Sequence, residues 1–118
     1  MKLYTNKDQT AKLIELGFEK PKSISGYYQR GPYEYDAENN TKMVVYDDTQ
    51  YPIYAYSIGE LIEMLPRRVG EWYLEIACDY KFERWLCFLN PETQYGIATE
   101  LVDALYNLLT NLKEAGVI

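Results

Sequence analysis

The chain has 118 residues, twelve Lys and Arg against eighteen Asp and Glu, no His, and a formal net charge of -6. Its length fits one domain of the roughly 100 to 200 residues that a single core serves, and 47% apolar with 25% charged residues excludes a disordered or fibrous class. The acidic balance argues against the basic surface that general nucleic-acid binding needs, and two cysteines are too few for a disulfide scaffold, so reduced thiols are expected.

The opening residues Met1 to Asp8 lack the apolar stretch of a secretory signal, and no run approaches the roughly 18 apolar residues of a membrane helix. A cytoplasmic protein with no membrane partner is expected. Thr5 followed by Asp8 resembles a capping box, Ala11, Leu13 and Ile14 supply an apolar side, and Gly17 with Pro21 provides a stop. These features predict a first helix over residues 6 to 16.

From Lys22 to Asp48, Gly26, Gly31, Pro32 and Asn39-Asn40 punctuate a run containing Tyr27, Tyr28, Tyr33 and Tyr35, which fits short strands or an ordered loop better than a helix. Lys42 to Tyr46 has strand character, Asp47-Asp48 ends it, and Tyr51 to Tyr56 is expected to return as the second strand of a hairpin, with Pro52 on an edge. Ser57-Ile58-Gly59-Glu60 is a serine cap with glutamate three residues later. It starts a two-turn helix through Ile58, Leu61, Ile62 and Leu65 that Pro66 closes. Arg67 and Arg68 just beyond it favour the helix dipole.

Glu71 to Asp79 alternates, with Trp72, Leu74, Ile76 and Cys78 on one side, the pattern of a strand with one buried face. Arg84 to Leu89 is apolar on both sides and is expected inside the sheet. A turn centred between Phe82 and Glu83, with four loop residues favoured over two, sets Tyr80 against Trp85, Cys78 against Cys87 and Ile76 against Leu89. Ile97, Ala98, Leu101, Val102, Leu105, Leu108, Leu109 and Leu112 repeat at helical spacing up to Gly116. They predict a third helix over 97 to 115, lying on the buried face of the Trp72 strand. The expected fold is α+β: one domain over 1–118, a small antiparallel sheet of three to five strands packed by a long C-terminal helix, with two shorter helices.

Without histidine the usual general base and the serine or cysteine triads are missing. Cys78 and Cys87 lie outside any CxxC spacing and read as buried, inert thiols. The acidic group Asp36, Glu38, Asp47 and Asp48 lacks the alternation of a calcium loop, and no glycine-rich phosphate cradle is present. No catalytic, metal or cofactor site is therefore expected. Thirteen tyrosines, about twice the usual share, point instead to contact surface. Tyrosine offers a broad area at low entropic cost, so Tyr27, Tyr28, Tyr33, Tyr35, Tyr54 and Tyr56 are the candidate partner-binding residues.

Three blocks carry a resemblance: Gln9 to Phe18, Tyr56 to Pro66, and Glu100 to Tyr106. They cover about a quarter of the chain and are similar to uncharacterised small proteins encoded in prophages and mobile elements of gut anaerobic bacteria. The resemblance implies an accessory role and transfers no site residue. Together with the composition it leads to an expected non-enzymatic protein that acts by protein contact, with a partner protein or as a homodimer through the tyrosine-rich region. The alternatives are an acidic nucleic-acid mimic that inhibits a host nuclease or defence system, which requires a continuous carboxylate strip, and a carboxylate and tyrosine enzyme, which requires a deep polar pocket.

Overall fold

The computed structural model describes residues 1–29, 33–36, 41–44 and 50–118, with side chains described outside 29–49. The chain divides into two compact units, Met1–Ser23 with Ala55–Ile118, and Ile24–Tyr54. In chain order the elements are α1 (Lys7–Glu15), β1 (Ser23–Gln29), β2 (Tyr33–Asp36), β3 (Thr41–Val44), β4 (Gln50–Ala55), α2 (Ile58–Met64), β5 (Arg68–Val69), β6 (Trp72–Tyr73), β7 (Glu75–Asp79), β8 (Arg84–Phe88), β9 (Tyr95–Ala98) and α3 (Leu101–Glu114). The fold is α+β; the described residues form three helices, one three-stranded sheet ordered β7-β8-β9 and three two-stranded pairs.

Local chemistry accounts for the helices of the larger unit. At α1 the capping box is formed by Asn6 and Gln9, not by Thr5: the Gln9 amide donates to Asn6 Oδ1 at 2.8 Å and the Asn6 amide to Gln9 Oε1 at 3.0 Å. Thr5 is buried one residue earlier, where its Oγ1 accepts from the Tyr56 amide at 3.0 Å and shares a hydrogen bond with Thr10 Oγ1 at 2.7 Å. The Ser57 and Glu60 box forms as the sequence predicts, and Pro66 follows the last turn. Both α1 and α3 end on a glycine at positive φ, Gly17 at 95° and Gly116 at 74°. The next amides, of Phe18 and Val117, reach back to the carbonyls of Leu13 and Leu112, which closes each helix without leaving its last carbonyls bare.

The core is built around α3. Val102, Ala104, Leu105, Leu108, Leu109 and Leu112 are buried against Leu13, Tyr56, Leu61, Leu65, Cys87 and Leu89. Helix α3 packs on β9, β8 and α2. Gly96 permits the closest approach, because a Cβ there would stand 2.6 Å from the Leu108 amide nitrogen and closer still to the Ala104 carbonyl oxygen.

Four expectations are corrected. Ile97 and Ala98 belong to β9, so the third helix begins at Leu101 and not at residue 97. The strand expected over Glu71 to Asp79 is broken at Leu74: β6 pairs with β5, and β7 is an edge strand beyond β8. Helix α3 therefore sits on β8 and β9, leaving Trp72 41% and Ile76 37% exposed. The β7–β8 loop has the expected four residues, Tyr80 to Glu83, but its centre lies one residue earlier, so Cys78 pairs with Trp85 and Ile76 with Cys87. The last loop residue, Glu83, takes the left-handed conformation at φ 50°. Finally, the hairpin expected between Lys42 to Tyr46 and Tyr51 to Tyr56 is replaced by nested pairs, β2 with β3 inside β1 with β4. In a two-stranded pair both strands are edges, which is where Pro52 is tolerated.

Candidate interaction surface

Antiparallel register decides which side chains share a face of the larger unit's sheet. One face carries Trp85, Cys87, Gly96 and Ala98 and meets α3. The other carries Glu75, Phe88 and Tyr95 in one row, Ala77, Leu86 and Ile97 in the next, and Asp79 with Arg84 in the last. On that outer face Leu86 and Phe88 are half-buried, while Tyr95 is 44% and Ile97 36% exposed. Pro91 and Glu92 rise beside them to make a shallow groove of about 350 Å³. Among the described residues the Asp79 to Arg84 ion pair, at 3.3 Å, is the one charge pair on this face, and Glu75 and Glu92 have no cationic partner. An exposed row of aliphatic and aromatic side chains across three strands is the kind of surface that binds protein.

The six tyrosines singled out from the sequence have different fates. Tyr27, Tyr28 and Tyr54 of the smaller unit are 60%, 54% and 52% exposed, and Tyr28 stacks on Tyr51 with ring centroids 5.4 Å apart. Tyr33 and Tyr35 lie on β2, and their side chains fall outside the described residues. Tyr56 is corrected from a surface residue to a core one. It is 1% exposed, and its hydroxyl donates to the Glu19 carbonyl at 2.6 Å. Burial, then the charges of Glu60 and Glu19, hold its pKa above the ordinary tyrosine value, so it remains a donor.

A cleft of about 250 Å³ lies above Tyr56, lined by Glu19, Lys20, Lys22, Glu60, Glu63 and Met64. Within it, the Tyr56 hydroxyl and the Glu60 carboxylate have structural partners. Glu60 accepts from the Lys22 amide at 2.9 Å and the Ser57 amide at 3.1 Å. Burial raises its pKa, but these bonds together with the Ser23 and Ser57 hydroxyls outweigh that and leave it lowered. A carboxylate fixed as an anion in a helix cap is a poor proton carrier.

The cysteines differ from each other. Cys87 is fully buried, and burial pushes its thiol up to about 12. Cys78 is half-exposed on the edge strand, which corrects its expected burial. Both are free. The register makes them diagonal neighbours, roughly 7–8 Å apart where a disulfide needs about 4–7 Å between Cα atoms. Among the described residues no group of three or more acidic or sulfur ligands converges, and no helix is long and apolar enough to cross a membrane. Among the described residues the carboxylates of Asp79, Asp103 and Glu114 are paired with Arg84, Lys2 and Lys12.

Asn107 and Asn111 of α3 lie beside β9. Asn107 Nδ2 donates to the Ile97 carbonyl at 3.3 Å and Asn111 Nδ2 to the Tyr95 carbonyl at 3.0 Å, which caps the two outward carbonyls of β9. The i, i+4 spacing of two asparagines on one helix was the available signal.

Comparison of the chain with protein-family models, curated proteins and solved structures finds no match.

Proposed function

We propose that this protein acts by binding another protein through the outer face of β7–β9. The observation that carries the reading is the one-sided sheet: α3 covers one face of β8 and β9, while Leu86, Phe88, Tyr95 and Ile97 meet solvent on the other. Such a face stays exposed at a cost in solubility of the kind that monomeric proteins avoid, and a partner that covers it recovers roughly 25 cal/mol per Å² of apolar surface. The exposed Tyr27, Tyr28 and Tyr54 give the smaller unit a contact surface of its own. An accessory role in a prophage or mobile element, which the resemblance implies, is the setting we propose for this binding.

The test is affinity capture with mass spectrometry from a bacterial lysate, using the wild type beside a Phe88→Lys, Ile97→Glu double variant whose fold is checked by circular dichroism. The wild type is expected to retain a partner that the variant loses. Identical recovery by both proteins refutes the proposed face.

A further inference from the structure

Hydrogen bonding fixes which groups point to the open side of β7. In an antiparallel ladder the N–H and C=O groups of successive residues point alternately to the two sides of the strand. The Tyr95 and Ile97 carbonyls accept from α3, so they point away from β8. Gly96 and Ala98 are therefore the residues that bond Cys87 and Trp85, in phase with the Leu89 amide, which donates to the Gln94 carbonyl at 2.9 Å. Arg84, Leu86 and Phe88 turn the other way and bond Asp79, Ala77 and Glu75. What remains is the N–H and C=O of Ile76 and of Cys78. These point outward, and among the described residues no strand pairs with them.

The two edges of this sheet are thus treated differently. Side-chain amides of α3 cap the two outward carbonyls of β9, while β7 offers four uncapped main-chain groups in a row, with Ile76 and Cys78 incompletely covered on the α3 side. Open edges recruit strands. The charges decide which. A second copy pairing antiparallel about Ala77 sets Glu75 of one chain against Asp79 of the other, twice, and like charges directly opposite are unfavourable. A net charge of -6 adds to that repulsion. A strand with basic residues at the same two places meets a carboxylate at each, because among the described residues Glu75 has no cationic partner, and Asp79, which accepts from Arg84 and the Lys81 amide, keeps further acceptor sites on both oxygens.

We infer that the β7 edge takes up an extended segment of another protein as a fourth strand, one reading basic, apolar, any, apolar, basic opposite Glu75 to Asp79. The inference rests on the protein-contact reading above and names its partner chemistry. Main-chain bonds to Ile76 and Cys78 supply affinity, and the alternating side chains supply selection. The two apolar residues fall on the α3 side and cover Ile76 and Cys78, while the basic pair falls on the outer side.

The probe is the synthetic peptide SKVTVKS, titrated into the full ¹⁵N-labelled chain, with SEVTVES as its charge-reversed counterpart. The amides of Ile76 and Cys78 are expected to shift with SKVTVKS and to stay in place with SEVTVES. Ile76→Pro removes one outward donor and leaves the β8 ladder intact, and Glu75→Lys reverses one charge. Each is expected to weaken binding about tenfold, and the two variants guard against one failing to fold. Equal binding of both peptides, or no shift at either amide at millimolar peptide, overturns the inference. Shifts confined to Leu86, Phe88, Tyr95 and Ile97 also overturn it but leave the protein-contact reading standing, and that reading fails separately if capture does not depend on the outer face.

Discussion

Gly96 shows how one missing side chain positions the whole interaction surface. The strand backbone touches the α3 backbone at Ala104 and Leu108, so any Cβ must push the helix off β9, and neither backbone can yield alone. Gly96→Ala is expected to cost about 3 kcal/mol, at the upper end of overpacking effects, read as a lower urea midpoint with an unchanged m-value. Two carboxylates carry the acid response. Asp103 is half-buried, and that partial burial raises its pKa, but hydrogen bonds from Lys2 at 2.7 Å and Gln9 at 2.7 Å and the charge of Lys2 outweigh this and lower it. Glu60 is lowered in the same sense. A carboxyl with a depressed folded pKa releases its proton more readily in the native state, so its stabilisation is full above its unfolded value and disappears as pH falls through the folded one. Thermal melts are therefore expected to be flat above pH 5 and to fall below about pH 4, with a shallower fall in Asp103→Asn. The thiols give a third test. Iodoacetamide at pH 8 is expected to modify Cys78 alone in the native protein and both cysteines in urea, counted by intact mass, because only the thiolate reacts and burial keeps Cys87 protonated.

At the scale of elements, legibility followed the source of each signal. The Ser57 and Glu60 cap, the glycine stops of α1 and α3 and the interior placement of β8 could be read because a few adjacent residues determine them. Strand β9 could not. Ile97 and Ala98 continue the apolar spacing of Leu101 and Val102, so a strand that runs into a helix looks like one longer helix, and only Gly96 hints at the change. The alternation persists within β7, where Ile76 and Cys78 share a face, but periodicity reports a face and not what covers it, so a strand expected to bury that face stands at the edge with the face partly open. The β7–β8 register missed by two residues and kept every side chain on its proper face, because side chains repeat every second residue. Its centre depends on Glu83 adopting positive φ, a conformation that sequence assigns first to Gly or Asn. The candidate surface was legible only in kind: aromatic contact area was expected, yet the outer row of Leu86, Phe88, Tyr95 and Ile97 emerges from the register. That same register makes a paired prediction. Ala77 bonds β8 and Ile76 points outward, so Ala77→Pro is expected to cost about 2–3 kcal/mol, whereas Ile76→Pro, on the open side, is expected to cost less than about 1 kcal/mol. Urea denaturation of the two variants side by side reads the difference, and equal losses would show the strand phase to be wrong.

At the scale of the molecule, the division into two units assigns the stability. Every member of the core cluster, from Leu13 through Tyr56 to Leu112, belongs to the larger unit. So do the ties that hold its ends together: the Thr5 amide donates to the Tyr56 carbonyl at 3.0 Å, and Lys2 bonds Asp103. The smaller unit leaves the chain at Ser23 and returns at Ala55 along β1 and β4, which pair with each other, so the two exit points are neighbours that a short turn can join. Loop closure depends only weakly on length, at about 0.6 kcal/mol per doubling. Replacing residues 24–54 with a four-residue Gly-Ser linker is therefore expected to leave one cooperative transition, with an unfolding free energy within about 1 kcal/mol of the full chain. In the amide spectrum the shifts of α3 and of β7 to β9 should be retained. Loss of cooperativity would mean that the smaller unit contributes to the larger unit's core. Retention would separate the two contact surfaces for assay: the shortened protein keeps the β7 edge and the outer face, and loses Tyr27, Tyr28 and Tyr54. A partner still captured by it must bind the sheet, and a partner lost with the linker replacement must need the tyrosines.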